Sequence, residues 1–173
     1  ALKKAARKMR PAEVAYGRGA LSGQAFNRRG VGMDGSIHMP WFYKAKQFPL
    51  GPVHLRYIEG PDDPEVGVIA FRSGDLALQA VLLNFSCHPV NLFATRQDVI
   101  SADWPGAWAA ELAKLYPGQC PFTVLNGCCG NLNPWPPMTA NFKPDHRRMG
   151  RNLADMAGKV MARMKYAPAE KLD

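Results

Sequence analysis

Apolar residues crowd into the middle of the chain. Residues 65–72 (Glu-Val-Gly-Val-Ile-Ala-Phe-Arg) read as a strand, Ser73-Gly74-Asp75 as a turn, and 76–87 as a longer strand, which predicts a hairpin. Within the second strand Val81-Leu82-Leu83-Asn84-Phe85 is almost continuously apolar, the pattern of a strand covered on both faces. The period then changes. Trp104, Trp108, Leu112 and Leu115 recur at helical spacing after Ser101-Ala102-Asp103-Trp104-Pro105, where Asp or Ser can cap and Pro suits the first turn. This predicts a helix over 104–116, ended by Pro117-Gly118. Residues 122–126 return to a buried-strand pattern. Pro144-Asp145 then opens a long helix with Met149, Leu153, Met156, Val160 and Met164 on its apolar face. Methionines at that spacing belong to a core rather than to a metal.

The first third is harder to read. Residues 1–9 look like the last turns of a helix stopped by Pro11, and 12–21 like a strand weakened by Gly17 and Gly19. Residues 27–64 are punctuated by Gly and Pro and predict a long loop of the kind that often carries function. Trp41, Phe42, Tyr43 and Phe48 within it predict a packed, ordered loop. Strand 76–87, helix 104–116 and strand 122–126 form a crossover unit, and such units are right-handed with parallel strands. The fold class is therefore α/β: a mixed sheet with a parallel strand–helix–strand unit and a long ordered loop region.

Composition narrows the function. The chain has 173 residues, 47% of them hydrophobic and 21% charged, which suits one globular domain. Its net charge of +8 invites a nucleic-acid partner. The distribution of charge argues against one. Residues 1–29 carry eight basic side chains and one acidic, residues 141–173 eight and four, and residues 30–140 six and nine. The basicity sits in two flanks that read as solvated helix ends, so no nucleic-acid partner is expected. No apolar run approaches the roughly 18 residues of a membrane span. The chain opens on Ala1-Leu2-Lys3-Lys4 with no secretory pattern and no initiating Met, which predicts a mature product or a fragment. The four cysteines lack paired Cys-x-x-Cys spacing and read first as small buried thiols.

The crossover unit also locates the chemistry. Parallel strands end at one edge, and open α/β sheets bind ligands at their carboxyl edge. One strand runs into Cys87-His88-Pro89, the other into the turn Asn126-Gly127-Cys128-Cys129-Gly130-Asn131-Leu132-Asn133-Pro134, and Asp103 begins the helix between them. His88 is either a metal ligand or a hydrogen-bonded core histidine. The turn either presents backbone N–H groups with Asn131 or Asn133 to an oxyanion, or is simply a tight turn. Cys128 or Cys129 could act as a nucleophile activated by His88. Arg28, in Asn27-Arg28-Arg29, could bind an anionic or carbonyl oxygen, or be a surface arginine. His38, His54 and His146 read as exposed.

These segments, in this order, resemble the N-terminal domain of the neutral/alkaline (non-lysosomal) ceramidase family and its bacterial relatives. The resemblance lies in residues 5–11, Phe26-Asn27-Arg28-Arg29, Asp63-Pro64-Glu65-Val66-Gly67-Val68-Ile69, Asn84-Phe85-Ser86-Cys87-His88-Pro89, Ile100-Ser101-Ala102-Asp103-Trp104-Pro105-Gly106 and the turn 126–134. It covers most of the chain. It implies a zinc amidase that cleaves an N-acyl bond through zinc-activated water, with His88 as a zinc ligand. Arg28 then matches an arginine near the catalytic centre, and Asp103 an acidic residue supporting the metal site. The substrate implied is a small-molecule or lipid N-acyl compound, with peripheral membrane contact and an extracytoplasmic location. The sequence departs from the family at Asn133, which stands where ceramide-cleaving members have Ser in Gly-Asp-Val-Ser-Pro-Asn; an amide cannot do that serine's chemistry. The family's other ligands, a His upstream and a Glu and a Tyr downstream, fall outside residues 1–173. The expectation is one piece of a larger catalytic domain, inactive alone. A non-catalytic scaffold that kept the fold and a Cys/His thiol hydrolase stay open as alternatives.

Overall fold

In the computed structural model, residues 2–39, 55–117, 120–137, 139 and 142–169 are described. Helix α1 (Leu2–Ala6) buries no side chain. A five-stranded sheet holds β1 (Glu13–Ala20), β6 (Glu65–Arg72), β7 (Leu78–Phe85), β8 (Phe122–Asn126) and β10 (Ala167–Pro168) in the order β10-β1-β6-β7-β8. Strands β6 and β7 form the expected antiparallel hairpin, with Leu76 at φ 66° in its turn. Strand β8 runs parallel to β7, pairing Val81 with Phe122 and Phe85 with Asn126. The strand–helix–strand unit is therefore present, and the fold is a mixed α/β sheet.

Helices α2 (Asp103–Leu115) and α3 (His146–Met161) pack on one face of this sheet. Trp104 meets Phe85 edge to face with centroids 5.7 Å apart, and Trp108 meets Phe122 at 6.2 Å. Trp104, Trp108 and Leu112 are fully buried, but Leu115 is 56% exposed. The apolar stripe of α2 thus stops one turn before its spacing predicts, because the sheet ends there. On α3, Met149, Leu153 and Val160 are buried, and Met156 and Met164 pack against the same core, as their spacing predicts. Gly17 and Gly19 explain their place in β1: a Cβ on Gly17 would lie 2.8 Å from Val160 and Met164, and one on Gly19 2.8 Å from Met156. The glycines that weaken the strand pattern are what lets α3 lie on it.

Two expectations about this region fail. The run 81–85 is not covered on both faces. Val81, Leu83 and Phe85 are buried, whereas Leu82 is half-buried and Asn84 exposed. Tyr16 is 82% exposed on the same outer side as Leu82. Among the described residues only one face carries a helical layer. The segment 27–64 is also not plain loop. Strands β3 (Gly30–Gly32), β4 (Ile37–His38) and β5 (Leu55–Ile58) form a small sheet in the order β4-β3-β5, and β2 (Phe26–Asn27) pairs with β9 (Leu132–Asn133). Such short strands carry too few apolar residues to announce themselves. Trp41, Phe42, Tyr43, Phe48, His54 and Gly118 lie outside the described residues.

Candidate functional site

The carboxyl ends of β7 and β8 meet as the crossover requires. Gly127 N–H donates to the Phe85 carbonyl (3.1 Å), which carries the pairing one residue past β8. A Cβ on Gly127 would sit 2.3 Å from Ser86 Oγ, so the turn lies directly against the end of β7. Ser86 is itself buried and donates to Asp63 (3.1 Å). The turn then folds back: Leu132 N–H donates to Cys129 O (2.9 Å), and His88 N–H donates to Leu132 O (3.1 Å). That last bond locks His88 to β9.

Pairing of β2 with β9 brings in Arg28. Phe26 lies opposite Asn133 and Asn27 opposite Leu132. Arg28 N–H donates to Asn131 O (2.8 Å), and its guanidinium donates through Nε (3.2 Å) and a terminal nitrogen (2.8 Å) to Gly130 O. His88, Arg28, Asn131 and Asn133 therefore converge on one sheet edge, with Asn131 contributing its main-chain carbonyl to Arg28. Asn133 is 2% exposed, and its Oδ1 has no donor among the described residues. A buried acceptor left without a donor costs about 1–3 kcal/mol, so this oxygen is suited to receive one.

His88 is half-buried. Burial first, and the nearby Arg28 charge second, hold its pKa below the ordinary histidine value, which favours the neutral ring. Its Nδ1 lies 3.0 Å from Cys129 Sγ, and Nε2 has no partner among the described residues. Cys87, next in the chain, is fully buried. Desolvation above all, with the nearby Asp103 carboxylate adding to it, pushes its thiol well up, so it stays protonated. All four cysteines are free. Only Cys87 is the small buried thiol expected of all of them; Cys128 is exposed, and Cys120 and Cys129 are half-buried.

Asp103 does different work from His88 and Arg28. Its Oδ1 accepts from Asn91 Nδ2 (2.9 Å) and Trp104 N–H (2.7 Å), and its Oδ2 from Leu92 N–H (2.8 Å). It is 4% exposed and sits at φ 52°. Its carboxylate is spent on tying the loop after His88-Pro89 to the start of α2. The expected Asp or Ser cap is also rearranged: the capping position is Ala102 without a side-chain bond, and Ser101 Oγ accepts from Asp103 N–H instead (3.0 Å).

Sequence reasoning missed Asn91, Asn126 and Ser86. Asn126 had a signal, as the polar last residue of a strand whose sequence reads as buried; Asn91 and Ser86 had none. That reading of β8 fails in the structure: at the edge of the sheet, Phe122 and Val124 are half-buried and Thr123, Leu125 and Asn126 exposed. The remaining histidines lie elsewhere. His38 is half-buried in β4 with Nε2 2.6 Å from Ser36 Oγ, and His146 is half-buried at the start of α3, so neither is the exposed side chain expected. No described helix is long and apolar enough to cross a membrane.

Architecture and edge together define an α/β domain with a histidine, an arginine and an asparagine-bearing turn at the carboxyl end of its parallel strands. The fold is similar to that of neutral ceramidase from Pseudomonas aeruginosa, with a TM-score of 0.64 and 17% identity over 94% of this chain. It is also similar to a ceramidase complexed with C2, with a TM-score of 0.63 and 18% identity over 93% of this chain. The chain spans 24% of the length of each. No protein-family model matches it, and no curated protein does.

Proposed function

We propose that the protein is a zinc-dependent amide hydrolase, and that residues 1–173 form part of its single catalytic domain. The likeness in fold to two ceramidases over nearly the whole chain carries this reading, and the cluster at the sheet edge is consistent with it. Donor chemistry at His88 fits the metal: a ring held neutral, with an Nε2 that no described residue occupies. Among the described residues no group of three or more His, Cys, Asp or Glu could hold a metal. The rest of a three- or four-ligand set therefore comes from residues beyond those described. Zinc bound there supplies Lewis acidity and lowers the pKa of a water.

The chain's own residues set the substrate. Arg28 uses two N–H groups on Gly130 O and has others left for a carbonyl oxygen. The buried Asn133 amide can donate through Nδ2 to a developing oxyanion, and its unpaired Oδ1 can accept the N–H of a secondary amide. An N-acyl compound offers both groups. Val99 and Ile100, exposed in the loop between Pro89 and α2, add apolar surface after the strand end that bears His88. That favours a lipid N-acyl substrate met by peripheral contact with a membrane; an extracytoplasmic location rests on the family resemblance alone. Elemental analysis and turnover of a fluorescent ceramide and shorter N-acyl amides test the reading. The whole protein should carry zinc and hydrolyse at least one, and His88→Ala should lose most of both. Undiminished zinc in His88→Ala removes His88 from the ligand set; a zinc-loaded protein inert to every N-acyl amide rejects the activity.

The 3.0 Å contact with His88 gives a thiol hydrolase using Cys129 one observation in its favour. The lowered proton affinity of His88 works against it, since a thiolate–imidazolium pair needs the ring to take the proton. Hydrolysis that survives a chelator and is lost in Cys129→Ala would select the thiol chemistry.

A further inference from the structure

We infer that Cys129 is a positioning residue for His88: its sulfur accepts the Nδ1 proton and leaves the Nε2 lone pair as the free donor of the ring. The inference rests on the reading of His88 as the side chain that holds the metal. Backbone bonds place the sulfur before any side-chain contact is counted. Cys129 O accepts from Leu132 N–H, and Leu132 O accepts from His88 N–H, so thiol and imidazole are tied to one short stretch of β9. Gly127, with no room for a side chain against Ser86, keeps the turn close enough for them to meet.

Asn126 fixes one of the hydrogen bonds at the sulfur. Its Oδ1 faces Cys87 N–H (3.4 Å), and a main-chain N–H can only donate. Its other end is therefore Nδ2, which lies 3.3 Å from Cys129 Sγ and donates to it. The sulfur thus already accepts one bond and lies 3.0 Å from His88 Nδ1. Of the two directions open to that contact, thiol to ring or ring to thiol, we take the second, because S–H is the weaker donor. A neutral imidazole carries one N–H. With that proton on Nδ1, the lone pair is on Nε2. A partner on the far nitrogen commonly fixes tautomer and orientation in metal-binding histidines, and its loss costs about 10–100-fold in metal affinity. Carboxylates and carbonyls usually fill that place; here a thiol does.

Long-range proton–nitrogen correlation NMR of the labelled imidazoles reads the tautomer directly, at about pH 8 where an ordinary histidine is neutral. The His88 signals are assigned by their loss in His88→Gln. His88 should carry its proton on Nδ1 in the native protein. Cys129→Ala should move it toward the Nε2–H form that free imidazole side chains prefer. Cys129→Ser should restore Nδ1–H, since a hydroxyl oxygen accepts the same bond. Cys129→Val, similar in bulk to Cys and unable to accept, repeats the test if the alanine variant does not fold. In the whole protein Cys129→Ala should weaken zinc binding about 10–100-fold, and Cys129→Ser should recover most of it. A native His88 protonated on Nε2, or a tautomer unmoved by removal of the sulfur, overturns the inference. If His88 holds no zinc at all, the proposed function falls while the tautomer result stands, so the two failures are distinguishable.

Discussion

At the scale of single residues, Asp103 is held where a non-glycine residue is rarely found. Its φ of 52° costs on the order of 1–2 kcal/mol, and the three N–H groups on its carboxylate offset that strain. Asp103→Ala keeps the strain and loses the bonds, and should cost about 2–4 kcal/mol in denaturant unfolding. Asp103→Gly should cost less, because glycine accepts that φ freely. An alanine variant as stable as the native protein would show that the network does not hold this corner. Asn133 makes the opposite forecast. Its buried oxygen contributes no hydrogen bond to the fold, so Asn133→Ala should change stability by less than about 1 kcal/mol. If its amide serves an oxyanion, kcat in the whole enzyme should fall about 10²–10³-fold with zinc content unchanged. Unchanged turnover in a folded, zinc-loaded variant rejects the oxyanion role; a large drop in melting temperature assigns Asn133 to holding the turn.

At the scale of elements, α3 depends on its first turn and on one close crossing. Asp145 caps it, accepting from Arg147 N–H (2.9 Å) and Arg148 N–H (3.0 Å). The Arg148 N–H bond foremost, with the Arg147 N–H and the Arg148 and Arg151 charges, holds the Asp145 carboxyl below its ordinary value. A lowered carboxylate pKa means that the folded state holds the charged form more strongly. The stabilisation is complete above the unfolded value and is lost as pH falls through the folded one. Asp145→Ala should cost about 1 kcal/mol at neutral pH, and the gap to the native protein should close only in strong acid. A gap that persists there would point to packing instead of the cap. Farther along, a Cβ on Gly150 would lie 2.5 Å from Ala107 Cβ and 2.7 Å from the Trp108 nitrogen. Gly150→Ala should raise helix propensity by about 1 kcal/mol yet destabilise the protein by about 1–3 kcal/mol net. A stabilised variant would mean that α2 and α3 do not cross so tightly.

At the scale of the molecule, stability is unevenly spread. The core runs through β6, β7, α2 and α3, whereas β3, β4 and β5 bury only Val31 among their large apolar side chains. Amide hydrogen exchange should be slowest at Val68, Val81, Leu83 and Leu112 and markedly faster at Val31 and Tyr57. Equal protection across both sheets would show that they unfold as one unit. The likeness to two ceramidases extends over 94% and 93% of the chain. At 17% and 18% identity it is a likeness of fold, and the chemistry must be argued from the edge residues.

Periodicity alone determined the elements that bury most. Helices α2 and α3 were legible because each repeats its apolar residues at the helical period, and the hairpin 65–87 because two apolar runs of strand length flank the turn Ser73-Gly74-Asp75. The handedness of crossovers then put His88 and the turn 126–134 at one edge without any knowledge of contacts. Other features depended on pairings between residues far apart in the chain. Arg28 reaches the edge only because β2 pairs with β9; on the sequence it is one basic residue among many, and resemblance alone marked it. The short strands of 27–64 exist only where a partner strand supplies their hydrogen bonds. Which face of β7 is covered could not be read from a run apolar on both. The hydrogen bonds of Asp103 to Asn91 and Leu92, and its left-handed backbone angle, belong to the tertiary structure alone. The tie between Cys129 and His88 needed the turn to fold back onto β9. Periodicity records which side of an element is buried, while hydrogen-bond partners are chosen only when distant segments are brought to within about 3 Å of one another.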